Sequence, residues 1–357
     1  MSTAFRPGLE LARDFHAEAV APLLDRVLAG APYAAALLGW GSEVQGFDTP
    51  RSTDHAWGPR LQVFLAPAGH RAHAAGLTAL LGRELPERFR GHPVRFAFPG
   101  GTTPRHWVDV LDVRAHFADQ LGEVPDGGLS AGGWLAAPWQ VLRELTGGAV
   151  FHDGAGVLTS YRESLGWYPD PVWRYVLACQ WQRLHQEEPF VGRCGEVGDD
   201  LGSAVTAARQ VRELMRLCLL MHRVYPPYGK WLGSAFAALP QAAELAPLLS
   251  GALAARGWRE RERQLSPAYE LVARMHNGLG LTEPLEPEVR PFYERPFLVL
   301  GAERFCAALL ATVDDPGLAA LPPVGSVDQY VDSTDLTAHG FAGRRRRYLA
   351  RPGGSVT

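Results

Sequence analysis

Strand-forming patterns crowd between Tyr33 and Val113 and nearly disappear after Pro138. That segregation limits the fold more than any other feature, because a sheet can draw only on the first third of the chain. Short apolar runs predict strands over 33–39 and 61–66. Alternating Val94, Phe96 and Phe98 predict a third over 92–98, closed by a turn at Pro99-Gly100-Gly101, and HWVDVLDV predicts a fourth over 106–113. Helical spacing predicts one helix over 9–29, with Pro22 at a bend and Gly30 as its stop, and others over 69–81 and 114–121. The Gly-, Pro- and Ser-rich run from Gly122 to Gly133 reads as a boundary. Beyond it, helical spacing predicts 138–146, 155–165, 171–187, 200–224, 231–239, 241–255, 257–279 and 296–312. The expectation is an α+β protein: a mixed sheet with flanking helices over residues 1–125, an α-helical bundle over 134–340, and a disordered Arg-rich tail over 341–357 that carries Arg344 to Arg347.

Composition narrows the function. A formal net charge of −3 gives no global basic field for nucleic acid. No run approaches the roughly 18 apolar residues of a membrane span, and MSTAFRPGLELARDFH has no signal-peptide core. Cys179, Cys194, Cys218 and Cys306 are scattered without metal-site spacing and read as reduced thiols of a cytoplasmic protein. The histidines form no HExxH or HxxxH pair, so zinc has no support. Among the 35 Lys and Arg residues, Lys230 is the only Lys. An ammonium is a compact point charge suited to one phosphate oxygen, so Lys230 is either a phosphate ligand or a chance survivor on the surface.

The stretch LGWGSEVQGFDTPRSTDHAWGPRLQVFL, from Leu38 to Leu65, carries the candidate chemistry. Gly41 and Ser42 leave the first strand in a bend where the backbone can approach a ligand, and amides and a hydroxyl there can hold phosphate oxygens. Asp54 could hold Mg²⁺ on those phosphates. Asp109 sits between Val108 and Val110, so it projects from the face opposite theirs, where it is either a metal carboxylate or an exposed edge residue. Asp112 is the alternative carboxylate or the cap of the next helix. Arg60 reads as a phosphate contact or an outward salt bridge, Trp57 and Pro59 as packing. Tyr225, Tyr228 and Trp231 read as a stacking surface or as core. Arg193 reads as a Gly-rich loop, with a helix cap at Asp200, or as part of an acceptor site.

Gly41-Ser42 followed by Ser52-Thr53-Asp54 and a strand resembles the nucleotidyltransferase signature of the DNA polymerase beta superfamily, which includes small-molecule and antibiotic nucleotidyltransferases. Gly41 to Val44, then Ser52 to Arg60, Tyr225 to Trp231 and Val327 to Asp335 resemble, more narrowly, a bacterial nucleotidyltransferase-like family. The resemblance implies transfer of a nucleoside monophosphate from a nucleoside triphosphate, ATP as first choice, to a small-molecule acceptor. Gly41 and Ser42 would hold the phosphates with Arg60, Asp54 and Asp109 would bind Mg²⁺, and Lys230 would close over the phosphates from the helical half. The pattern departs at one point: the second metal carboxylate, two residues after Asp54, is Ala56. Asp48 or His55 are the substitutes considered, although an extended segment would turn His55 the other way. The alternative is therefore a degenerate nucleotide-binding protein with a regulatory or scaffolding role. An antitoxin or nucleic-acid modifier is disfavoured by the net charge.

Overall fold

A computed structural model describes residues 5–97 and 103–337. The expected turn at 99–101 and the Arg-rich tail lie outside the described residues. The chain divides into two units. One runs to Gly133 and takes in Val141–Gly166; the other is Trp134–Gln140 with Trp167–Thr337.

The first unit is built on a five-stranded sheet. Its strands are β1 (Ala34–Leu37), β2 (Arg60–Leu65), β3 (Arg95–Phe96), β4 (Arg105–Asp112) and β5 (Ala149–Asp153), in the order β3-β4-β2-β1-β5. β2 and β4 run parallel, with Leu61 opposite Val108, Gln62 opposite Asp109 and Val63 opposite Val110. β1 runs antiparallel to β2 and to β5. Side chains alternate across a strand, so Leu61, Val63, Leu65 and Val108 share one face. They are buried there against Leu11, Phe15, Leu24, Leu77 and Leu81 of the flanking helices. Arg60, Gln62, Trp107 and Asp109 are left for the opposite face.

The helix expected over 9–29 forms as α1 (Gly8–Phe15), a wider π turn (His16–Val20) and α2 (Ala21–Leu28). Pro22 falls at the start of α2, directly after the wider turn, and lacking an N–H it cannot donate back to that turn. Ala29 and Gly30, with φ of 48° and 89°, end it. Helices α3 (Ser42–Gln45), α4 (Pro67–Glu84) and α5 (Val113–Leu121) follow, and Asp112 caps α5 by accepting from the Ala115 N–H at 3.0 Å. Of the third predicted strand, only Arg95–Phe96 joins the sheet among the described residues.

The boundary differs from the expected one for a clear reason. Residues 149–153, placed by sequence in the helical half, are β5 and pair with β1. Gly148 precedes them with φ 65°, and a Cβ there would collide with the Leu37 carbonyl. Only glycine lets β5 approach β1 so closely. Helices α6 (Trp139–Thr146) and α7 (Val157–Ser164) flank β5.

In the second unit the long helices are α8 (Asp170–Glu187), α10 (Asp200–Met221) and α13 (Trp258–Gly278), with α11 (Gly229–Ala237), α12 (Ala242–Ala254) and α14 (Glu303–Leu310) among the shorter ones. The run expected as a loop around Arg193 is a helix, α9 (Phe190–Glu196). A Cβ at Gly192 would collide with the Phe297 ring, and one at Gly195 with Trp258. These glycines seat aromatic rings against a helix rather than break it. The cap that precedes α10 is Asp199, accepting from Gly202 N–H at 2.7 Å. No helix among the described residues is long and apolar enough to cross a membrane. All four cysteines are free thiols.

Trp181, stacked on Phe305 at 4.4 Å, anchors the core of the second unit. Its indole N–H donates to His276 Nδ1 at 3.1 Å, and His276 Nε2 meets Thr282 Oγ1 at 3.2 Å. The ring is 1% exposed. Burial lowers its pKa from 6.5 to about 4, because the charged ring would lose its hydration. Below pH 6.5 the unfolded state takes up a proton that the folded state refuses until about pH 4. Stability is therefore complete above pH 6.5 and falls by about 3 kcal/mol as pH drops from 6.5 to 4. Urea unfolding across that range should show the gap between wild type and His276→Gln closing as pH falls. A gap that stays constant would contradict it.

Candidate functional site

The bend after β1 forms as its glycines require. Gly39 and Gly41 have φ of 87° and 128°, and Gly39 N–H donates to Glu144 O at 2.9 Å. Ser42 opens the single turn of α3, which Gly46 ends with φ 76°. A Cβ on Gly41 would collide with the Arg60 guanidinium and lie 2.6 Å from Glu43 Oε2. The sequence-predicted residues Gly41, Ser42 and Arg60 are thus brought together, with Glu43 as a fourth member.

Arg60 opens β2 and points into this corner. Its Nε and Nη2 donate to Glu43 Oε1 at 2.9 and 2.6 Å, and Nη2 also donates to Trp40 O at 2.6 Å. The Trp40 ring lies 3.7 Å from the guanidinium carbon. Arg60 and Glu43 are 2% and 3% exposed. Arg60 is therefore not an outward salt bridge: it is buried, and its charge is matched by Glu43. The pair is short and charge-assisted, and Trp40 O fills a further donor direction.

Two residues along β2, Gln62 ties the strand to the bend. Its Oε1 accepts from Leu38 N–H at 3.0 Å and its Nε2 donates to Leu38 O at 3.2 Å, a copy of a backbone pair. Asp109 lies opposite it in register, on the face the sequence assigned. Its carboxylate is half exposed and pairs with Arg105 Nη1 at 2.7 Å. Arg105 in turn stacks 3.7 Å over the Trp107 ring.

Asp54 precedes β2, as expected, but in a turn rather than an extended segment. Residues 50–54 form a 3₁₀ turn and β2 begins only at Arg60, so Asp54 is not on the strand. The turn satisfies itself: Thr49 N–H donates to Ser52 Oγ at 3.0 Å and Thr53 Oγ1 donates to Pro50 O at 2.9 Å. Asp54 is exposed and binds His55 Nδ1 at 2.6 Å, so His55 turns toward it rather than away. Ala56 has φ 52°, a left-handed conformation that is not extended. The rule that residues two apart share a strand face therefore does not apply between 54 and 56. Asp48 is engaged as well, accepting from Gly8 N–H at 2.7 Å and fastening the start of α1.

Does this corner fit Mg²⁺? The side chains beside Gly41 are the Arg60 guanidinium and the Glu43 carboxylate, and that carboxylate is already engaged by the guanidinium. Asp54 and Asp109 are each taken by a neighbouring base. Among the described residues, neither Asp54 nor Asp109 belongs to a group of three His, Cys, Asp or Glu side chains placed to hold a metal ion. Lys230 belongs to the second unit, at the start of α11, 4.8 Å from the Trp231 ring.

Sequence reasoning missed Glu43 and Gln62, which read as ordinary polar turn and strand positions. It also missed a cavity of about 510 Å³ in the first unit. Tyr33, Phe64, Asp126, Asp153 and Tyr161 line it. Tyr161 O–H donates to Asp126 Oδ1 at 2.8 Å, and Arg114 Nη2 lies 2.8 Å from Asp126 Oδ2. Hydrogen bonds from Arg114 and then Tyr161 hold that carboxyl below its usual range. The cavity lies beside Ala34 and Phe64, whereas Gly41 follows the other end of β1, beside Gln62. It cannot serve the bend.

Residues 134–232 match a family described as a domain of unknown function (DUF4037). That segment includes Tyr225 to Trp231 and leaves out Gly41, Ser42 and Asp54. Among solved structures the chain is similar to a nucleotidyltransferase-like protein from Exiguobacterium sibiricum 255-15. The TM-score is 0.34 and the identity 11%, over 86% of this chain and 89% of that one. No curated protein matches.

Breaking a buried ion pair from one side strands the other charge. Arg60→Met should destabilise the protein by roughly 3–5 kcal/mol in urea unfolding, and Glu43→Gln added to it should recover a large part. A loss below about 1 kcal/mol for the single variant would contradict the pairing.

Proposed function

We propose that this is a nucleotidyltransferase-like protein that binds a nucleoside triphosphate at the Gly41-Ser42 bend without Mg²⁺-dependent transfer. The observation that carries the reading is the pair Arg60 and Gln62. They hold the first two of the three β2 positions on the face of Asp109, the face from which the implied carboxylates would clamp metal ions. Two-metal phosphoryl transfer needs several carboxylates there; a buried cation and an amide stand there instead.

Binding is supported by what remains. The bend offers the amides of the α3 turn and the Ser42 hydroxyl, with a guanidinium directly behind Gly41. Trp40 and Trp107, 6.3 Å apart edge to face, give flat apolar surface on the same side of the sheet. Because Glu43 already neutralises Arg60, the bend adds little net charge, and affinity is modest.

Calorimetry with the four nucleoside triphosphates tests this. The expected result is a Kd of about 0.1–1 mM for at least one of them, equal with and without Mg²⁺, weakened in Ser42→Ala, with no pyrophosphate released in the presence of candidate acceptors. Absence of binding by all four would end the reading. Mg²⁺-dependent pyrophosphate release that Asp54→Asn or Asp109→Asn removes would replace it with the transferase.

A further inference from the structure

Two stretches singled out in the sequence, Tyr225–Trp231 and Val327–Asp335, meet in the second unit around a cavity of about 170 Å³. Pro227 and Gly229 line it from the first and Asp328 and Asp332 from the second, while Arg212 and Arg216 reach it from α10. The two arginines are four residues apart, hence on one helical face.

Their charges are unequally matched. The Glu213 carboxylate beneath them is 0% exposed and is shared among three arginines, and Asp328 also acts on Arg216. Arg183 takes it in a fork, Nε to Oε2 at 3.0 Å and Nη2 to Oε1 at 3.1 Å, and Gln180 Nε2 donates to Oε2 at 2.8 Å. Arg212 Nε donates to Oε1 at 3.1 Å. Burial pushes the Glu213 carboxyl up, yet Arg183 and Arg216 overcome it and hold the carboxyl at about 2. Arg216 keeps the weakest share: its Nη1 is 3.6 Å from Oε1 and 3.5 Å from the Asp328 carbonyl, and its buried Nε has no partner. A guanidinium whose side chain is only 15% exposed is poorly hydrogen-bonded in this state. Leaving such a group unmatched is costly. Arg212 Nη1 meanwhile leans on Asp332 at 3.3 and 3.4 Å. The Asp332 side chain is 80% exposed, so swinging it into water costs little.

We propose that this cavity binds one oxyanion group of a small ligand, a phosphate or a carboxylate, with Arg216 and Arg212 as its ligands and Asp332 as the carboxylate it displaces. The guanidinium fork matches a planar or tetrahedral oxyanion. The Asp328 carboxylate, which also lines the cavity, is tied back by the Trp139 N–H at 2.8 Å. This site is independent of the nucleotide reading for the first unit.

The test is calorimetry on the full chain at low salt with inorganic phosphate and, in a separate arm, acetate. Saturable binding of at least one is expected, with Kd in the millimolar range or tighter. Arg216→Gln should weaken it by about tenfold, and Asp332→Asn should tighten it several-fold, with the circular-dichroism melt of Asp332→Asn unchanged. Phosphate alone would mark a phosphoryl ligand, acetate alone a carboxylate. No saturable binding of either anion overturns the proposal. So does binding that survives Arg216→Gln, or Arg212→Gln should the first variant fail to fold. Binding that is lost instead in Ser42→Ala also overturns it, because the anion then sits in the first unit.

Discussion

The buried contact between Arg60 and Glu43 governs the first unit. It joins the first residue of β2 to the turn that leaves β1, and it accounts for the glycine at 41, since any side chain there would strike the guanidinium. Two charges taken out of water are tolerated only when geometry and extra hydrogen bonds are good. Trp40 O and the Trp40 ring supply them. Gln62, bonded twice to Leu38, continues the same seam one step further. Bend, strand and sheet face are therefore one electrostatic unit, and what the face can bind follows from it.

That unit also sets the chemistry. A metal-dependent transferase needs carboxylates gathered on one sheet face with room for hard cations. Here the corner contains its own cation, already matched, and Asp109 is paired with Arg105. An anionic ligand approaching the bend meets backbone amides over a screened guanidinium. Such a corner suits reversible binding better than charge development in a transition state, which calls for unmatched, preorganised donors.

Much of the sheet was legible because β1, β2 and β4 are apolar runs with turn residues at their ends. Asp109 was assigned to the right face because strand alternation is strict. β5 escaped because Ala149–Asp153 is short and lies between helical segments; its partner β1 is more than a hundred residues away. Pairing of that kind depends on Gly148 fitting against Leu37 O, a contact no local pattern encodes. The helix around Arg193 was hidden by its glycines, which usually punctuate loops but here admit Phe297 and Trp258. Asp54 was expected to lead into β2 through an extended segment. The 3₁₀ turn and the left-handed Ala56 take up the intervening residues. Glu43 carried no signal at all: a glutamate after Gly-Ser looks solvated until Arg60 is folded onto it.

The most direct measurement is the Arg60 Nε–H resonance in a proton–nitrogen correlation spectrum, assigned with Arg60→Lys and followed as ATP is added without Mg²⁺. A guanidinium buried against Glu43 behind a phosphate-binding bend predicts a signal protected from water exchange that shifts saturably with nucleotide. A freely exchanging signal, or a protected one that ATP leaves unmoved, would contradict the account.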